Sequence, residues 1–255
     1  MEWNEVGWNE PLFEVGAGEN SRVGVLVSHG FGGSPRSVQE LALRLLKAGC
    51  TVALPLLSGH GCTPEVMEGS RWTEWTTDVE KAFVWLSGRT DQVFVAGLSM
   101  GGTLALWLAA HHPEIAGLIT VNAAVRHPQE LLMRTFGRLG LPRWAKGIAN
   151  DTKLEGVDEK AYPRLPMRAT WQFAQLLARV RRDLPLVRCP VLIFSSDVDH
   201  VVRPENQREI YMKIGSTDKQ IVPLHDSYHV ATMDNDKELV FTKTLEFIAE
   251  HTLPT

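Results

Sequence analysis

The stretch from Val93 to His112 constrains the fold of this chain more than any other. Val93-Phe-Val-Ala96 is a short apolar run of β-branched and aromatic residues, long enough for a buried strand. Gly97-Leu-Ser-Met-Gly101 is a G-x-S-x-G pentapeptide. Thr103 to Ala110, rich in Leu and Ala and carrying Trp107, has the composition of a buried helix. Strand, sharp turn and helix with a serine at the apex make a nucleophile elbow. Side chains two positions to either side of the serine would collide with the neighbouring strand and helix, which is why both are glycine. Such a turn pushes the Ser99 hydroxyl out of the sheet, beside the N–H groups and positive dipole end of the new helix. A bare G-x-S-x-G on an ordinary turn would mean little; its flanks give it weight.

The remaining pattern fits around that unit. Val23–Val27 predicts a buried strand running into the glycine-rich turn Ser28-His-Gly-Phe-Gly-Gly-Ser-Pro35. A helix from Ser34 or Pro35 to Ala48 follows, stopped by Gly49, then a strand over Thr51–Pro55 and the loop Leu57–Pro64. Trp72–Leu86 predicts a second helix and Gly117–Val121 another strand. Residues 1–20, with Trp3, Trp8, Pro11 and Phe13, read as an irregular or hairpin-like lead-in covering one sheet edge. From 126 to about 185 prolines 128, 142, 163, 166 and 185 break the chain into what read as short helical fragments without strand runs, an insertion into the strand–helix succession. The alternation resumes with a strand at Val191–Ser196, a helix at Pro204–Ile214, a strand at Gln220–Leu224 and a closing helix over Asp234–Glu250. This alternation predicts an α/β fold with a mostly parallel central sheet, helices on both faces and a helical cap: core 1–125, cap 126–185, core 186–255.

Composition removes several function classes. With 255 residues, 44% of them hydrophobic, the chain can bury one sizeable α/β core. A net charge of −4 advertises no surface for nucleic acid. No apolar run approaches membrane-spanning length, and Glu2, Trp3 and Glu5 argue against a signal peptide. Three cysteines, Cys50, Cys62 and Cys189, without C-x-x-C spacing, disfavour both a disulfide framework and a zinc site and fit a reducing cytoplasm. No metal or organic cofactor is expected; His60, His111 and His112 lack an accompanying ligand pattern.

A serine hydroxyl needs a base, and the base an orienting carboxylate. Ligands of such sheets sit at the carboxyl ends of the strands, so the partners are sought in the loops that follow them. The expected chain order is Ser, acid, His. Asp197 and Asp199 follow one strand; His200, His225 and His229 are the histidines in range. Asp199 is preferred because it lies further out toward the mouth of the sheet, while Asp197 can brace the turn. His229, in the loop before the last helix, is preferred over His225, which can cap its strand; His200 reads as an exposed loop residue. Two backbone N–H groups would hold an oxyanion: Met100, following the serine, and Phe31 in the glycine-rich turn. His29 reads as structural, holding that turn by a hydrogen bond.

Together, His29-Gly-Phe-Gly-Gly-Ser-Pro, Leu57-Ser-Gly-His-Gly, Gly97-Leu-Ser-Met-Gly-Gly-Thr, Val121-Asn-Ala-Ala, Ser196-Asp-Val-Asp-His-Val-Val and Ser227-Tyr-His-Val-Ala-Thr resemble the α/β-hydrolase family, closest to bacterial monoacylglycerol lipases and related small carboxylesterases. The blocks run from about residue 23 to the C-terminus. The resemblance implies Ser99 as nucleophile, Asp199 as orienting acid, His229 as base, Phe31 and Met100 as oxyanion donors, and residues 126–185 as a cap. Gly30, Asn122, Ile148 and Glu159 are the candidate substrate contacts, with Asp158 and Glu159 placed to hydrogen-bond glycerol hydroxyls. Apolar cap residues such as Leu132, Met133, Phe136, Ile148 and Phe173 can line an acyl chain or simply pack the cap; Arg134, Arg138, Arg179, Arg181 and Arg182 read as a solvated face.

The implied reaction is hydrolysis of a monoacylglycerol to glycerol and fatty acid through an acyl-enzyme. A carboxylesterase of short or medium simple esters, an acyltransferase or carbon–carbon bond hydrolase, and a non-catalytic binding protein are the rivals. The complete Ser–Asp–His set argues against the last. The implied partner is a small lipid ester, with transient contact to lipid surfaces, no stable anchoring, and a monomer or weak dimer.

Overall fold

The computed structural model describes residues 7–253. Glu2, Trp3 and Glu5 lie outside the described residues, as does the first part of the expected lead-in.

The chain runs β1 (Leu12–Glu14), β2 (Val23–Ser28), α1 (Arg36–Lys47), β3 (Thr51–Leu54), α2 (Pro64–Met67), α3 (Trp72–Ser87), β4 (Gln92–Leu98), α4 (Met100–His111) and β5 (Gly117–Val121). It continues through α5 (Glu130–Phe136), β6 (Trp144–Lys146), β7 (Arg164–Pro166), α6 (Met167–Asp183), β8 (Val191–Ser196), α7 (Glu205–Lys213), β9 (Lys219–Leu224) and α8 (Lys237–His251). Seven strands form one sheet in the order β1-β3-β2-β4-β5-β8-β9. All neighbours pair parallel except β1, which lies antiparallel on the outer edge of β3, Leu12 opposite Leu54. The lead-in therefore extends the sheet edge as a strand. Pro223 falls on β9, the opposite edge, where a missing N–H costs little.

A parallel sheet buried on both faces needs apolar residues at successive positions, and β4 supplies them. Its alternation divides them between two cores: Val93 and Val95 pack with α3, α4 and α6, while Phe94, Ala96 and Leu98 pack with α1 and α8. β2 and β5, on either side of β4, are buried at every position. β4, the strand that leads into Ser99, is thus the middle one of the seven.

The segment between β5 and β8 differs from its sequence reading in two ways. It contains strands: β6 and β7 pair antiparallel, Trp144 opposite Pro166 and Lys146 opposite Arg164. Three-residue strands beside prolines carry too little periodicity to be recognised. It also contains a long helix, because no proline interrupts residues 167–184. The seventeen-residue α6 buries Ala174, Leu177 and Val180 in the same core as α3 and α4. Arg181 is not on a solvated face. It forms a mostly buried ion pair with Glu130, and its Nη1 donates to the Val125 carbonyl.

Candidate active site

Ser99 sits between β4 and α4 with φ 56° and ψ −119°, a left-handed backbone unusual for a residue with a side chain. The turn is held by its backbone: the Ser99 N–H donates to the Val121 carbonyl at 2.9 Å, and the Ser99 carbonyl accepts from Thr103 N–H at 3.1 Å. The two glycines are required by contact. A Cβ on Gly97 would stand 2.2 Å from the carbonyl carbon of Gly101, and one on Gly101 would stand 2.0 Å from the Ser28 carbonyl oxygen. Met100 is the first residue of α4, so its N–H has no intrahelical acceptor.

The turn after β2 lies against the elbow. A Cβ on Gly30 would come within 3.3 Å of Ser99 Cβ and 3.8 Å of its Oγ. Phe31 is fixed by its ring, stacked on Phe173 at 4.9 Å between centroids and edge-on to Trp75 at 5.6 Å. Beneath it His29 ties two loops together: its Nε2 accepts the Leu57 N–H at 3.2 Å and its Nδ1 donates to the Gly30 carbonyl at 3.0 Å. Those roles need the neutral ring. Burial, reinforced by neighbouring His60, pulls the His29 imidazole down to about 3. Burial likewise takes His60 down to about 4. His60 Nδ1 donates to the Ser58 carbonyl, and its Nε2 is buried without a partner among the described residues.

The acid and base candidates separate into two pairs. Asp199 Oδ2 accepts from His229 Nδ1 at 2.8 Å, while Asp199 Oδ1 takes the Val201 and Val202 amides at 2.8 and 2.6 Å. Asp197 does not brace the turn; it pairs with His225 at 2.6 Å. The first pair is buried, with side chains 1% and 8% exposed. The second lies in solvent, at 56% and 73%. Burial pulls the His229 imidazole down, but the Asp199 carboxylate, with Glu159 and Asp151 behind it, outweighs burial and leaves the ring above its ordinary range.

Ser99 and His229 open together onto a cavity of about 1140 Å³. Gly30, Phe31, Ile148 and Glu159 line it too, with Leu132, Met133 and Phe136 of α5 making an apolar wall. Asn122 is a correction to the sequence reading. It does not line the cavity, because its side chain is used up in bracing: Nδ2 donates to Ser196 Oγ and to the His229 carbonyl, both at 2.9 Å, and Oδ1 accepts the Ser196 N–H. Glu159 is buried at the cavity wall, where its Oε1 accepts the Asn150 N–H at 2.7 Å. Burial raises its carboxyl above the usual range, against the pull of the Asn150 amide and His229. Asp158 instead pairs with Lys160 on the surface.

Sequence reasoning missed the residues that stitch segment 126–166 to these loops. Tyr162 donates its N–H to Gly32 at 2.7 Å and its hydroxyl to the Gly59 carbonyl at 3.1 Å. Asp151 reaches both His200 and His229. Fully buried Asp234 takes the Lys153, Leu154 and Tyr228 amides at 2.7–2.9 Å. Their partners are mostly backbone amides tens of residues away, which no local spacing announces. His200 is exposed, as read from the sequence, and it also lines the cavity and is held by Asp151.

A hydroxyl at a helix N-terminus and an imidazole oriented by a buried carboxylate, both open to one apolar cavity, are the parts that acyl transfer requires. The family model described as serine aminopeptidase, S33, matches residues 19–236. The thermostable monoacylglycerol lipase of Bacillus sp. (strain H-257) is 47% identical over 233 residues, 91% of this chain and 93% of that one. The carboxylesterase of Bacillus subtilis (strain 168) is 28% identical over 88% of this chain and 91% of its own. A solved structure from work on LipS and LipT, two metagenome-derived lipolytic enzymes, superposes with a TM-score of 0.90 at 46% identity, covering 95% of this chain and 98% of that chain. The chain belongs to the serine aminopeptidase S33 family of α/β hydrolases.

Proposed function

We propose that this chain is a serine hydrolase that cleaves monoacylglycerol to glycerol and fatty acid through an acyl-enzyme on Ser99. His229 takes the Ser99 proton as the oxygen attacks the ester carbonyl. The Phe31 and Met100 amides receive the oxyanion, and His229 then protonates the departing alcohol. Water attacks the acyl-enzyme by the reverse proton path. The observation that carries this reading is the buried Asp199–His229 pair opening beside Ser99 onto one apolar cavity. The 47% identity to a monoacylglycerol lipase supports the alcohol, and the polar Glu159 at the wall of that cavity gives glycerol hydroxyls an acceptor.

The cavity fits a cap made of residues 126–166 resting on α6, shorter than a 126–185 insertion because α6 packs in the core. Around its rim, the segment from Leu131 to Ile148 exposes Leu131, Leu139, Leu141 and Ile148 and carries Arg134, Arg138, Arg143 and Lys146 without one acidic residue. Transient contact with lipid surfaces follows from that composition. Among the described residues no helix is long and apolar enough to cross a membrane. We place the protein in the cytoplasm, as a monomer or weak dimer, on its three free cysteines and charged surface.

The test is a hydrolysis series of monoacylglycerols and p-nitrophenyl esters of rising chain length, with Ser99→Ala as the blank. Faster kcat/KM for monoacylglycerol than for a simple ester of equal acyl length supports the proposal; the reverse order makes the chain a carboxylesterase, like its 28% identical relative. Glu159→Gln should lower that preference, since it removes a carboxylate from the alcohol side while sparing the Asn150 contact.

A further inference from the structure

Asp151 touches both loops that carry the acid and the base. Its Oδ1 accepts His200 Nδ1 at 2.8 Å, and its Oδ2 accepts the backbone N–H of His200 at 3.2 Å and of His229 at 3.3 Å. Its carbonyl accepts the Val230 N–H at 3.1 Å. His200 is the neighbour of Asp199, and Val230 the neighbour of His229. One residue from the segment between β6 and β7 therefore holds both ends of the acid–base pair from outside.

The segment is itself pinned. Asp234 Oδ2 accepts the Lys153 and Tyr228 amides and its Oδ1 the Leu154 amide, and Lys153 Nζ pairs with Asp226 at 2.5 Å. Asn150, on the near side, exchanges two hydrogen bonds with Glu159. Asp151 thus stands on a short, braced strap, with its carboxylate only 11% exposed. A buried carboxylate accepting several donors holds its partners tightly, because each lost bond would leave an anion unsatisfied.

We propose that Asp151 is a positioning residue that locks the Asp199 loop to the His229 loop, so that the acid–base pair is aligned only while the 150–154 strap is docked. The proposal rests on the triad reading above. It makes part of the cap a structural member of the reaction centre. It also supplies a second effect: the charge of Asp151 joins those of Asp199 and Glu159 in favouring the protonated His229 ring.

The experiment compares Asp151→Ala, Asp151→Asn and His200→Ala with wild type, measuring kcat and KM for a soluble p-nitrophenyl ester across the pH range. Asp151→Ala should lower plateau kcat between about tenfold and about a hundredfold with KM nearly unchanged, the size expected when reacting groups are misplaced. Asp151→Asn retains an acceptor and should recover part of that loss. It also removes an anion near His229, so the imidazole loses its proton more readily and the acid limb moves to lower pH. A residue that only supports packing would lower kcat and leave that limb in place. His200→Ala, at a half-exposed position, severs one arm and should give an intermediate kcat whatever the folding of the Asp151 variants. A plateau kcat for Asp151→Ala within about twofold of wild type, or an unmoved acid limb in Asp151→Asn, overturns the proposal. Ser99→Ala separates the two readings: residual turnover there overturns the triad itself, whereas a dead Ser99→Ala beside an unaffected Asp151→Ala overturns only the strap.

Discussion

His229 Nδ1 donates to Asp199 Oδ2 at 2.8 Å, and the other Asp199 oxygen is already occupied by two backbone amides. The carboxylate is therefore fixed before the imidazole arrives, and it dictates which ring nitrogen carries the proton. Nε2 is left as the basic nitrogen.

Asp199→Asn should reduce kcat by about 10⁴-fold, because an amide in that place no longer enforces the useful tautomer. Asp197→Asn should leave kcat within about twofold of wild type, since its partner His225 is a solvent-exposed pair outside the cavity. Steady-state kinetics of the two variants, prepared side by side, give the comparison.

In the proposed mechanism His229 must be neutral to accept the Ser99 proton. Asp199, Glu159 and Asp151 together hold the His229 ring above its ordinary range in spite of its burial. The acid limb of kcat/KM should accordingly have its midpoint above about pH 6.5, the value of an unperturbed histidine. A limb centred below that value would contradict the electrostatics of the site.

Gly97→Ala and Gly101→Ala should each destabilise the fold by about 3 kcal/mol or more, the upper range for forced overpacking. In both, the new methyl meets backbone atoms at 2.0–2.2 Å, of α4 for Gly97 and of β2 for Gly101, and packed backbone cannot move aside as a side chain can. Urea unfolding measures the loss. Gly18→Ala makes a useful contrast: nothing lies within 4 Å of its Cβ position, and only the cost of its positive φ remains.

Acid should loosen the turn after β2. His29 and His60 are buried as neutral rings, with pKa values of about 3 and about 4. In the unfolded chain both protonate near pH 6.5, so below that pH the unfolded state binds more protons and stability falls as pH falls. Each histidine contributes a slope of up to about 1.4 kcal/mol per pH unit until its folded value is reached. Urea midpoints measured between pH 7 and pH 5 should fall more steeply for wild type than for His60→Gln.

The parts of this molecule that sequence alone revealed share one property: their cause is local. The elbow follows from Gly97, Ser99 and Gly101 between an apolar strand and an apolar helix, and the sheet from the repeated strand–helix alternation. Asp199 lies two residues further along its loop than Asp197, and it is Asp199 that pairs with His229 while Asp197 pairs with His225. What stayed hidden depends on contacts across long separations. Asn122 follows a strand as a ligand-binding residue should, yet its amide braces β8 and the His229 loop. Asp151 and Asp234 look like ordinary loop acids until the fold brings amides from 6 to 81 positions away onto them. The β6–β7 pairing eluded the pattern because three residues are too few to show alternation.

Tyr162 gives the inserted segment a grip on two neighbouring turns at once, its N–H on Gly32 and its hydroxyl between Gly59 and Cys62. Replacing residues 126–166 with a foreign segment would remove those fasteners. Transplants aimed at new specificities should therefore carry the tyrosine across, or the recipient will inherit a fresh entrance above a slackened floor.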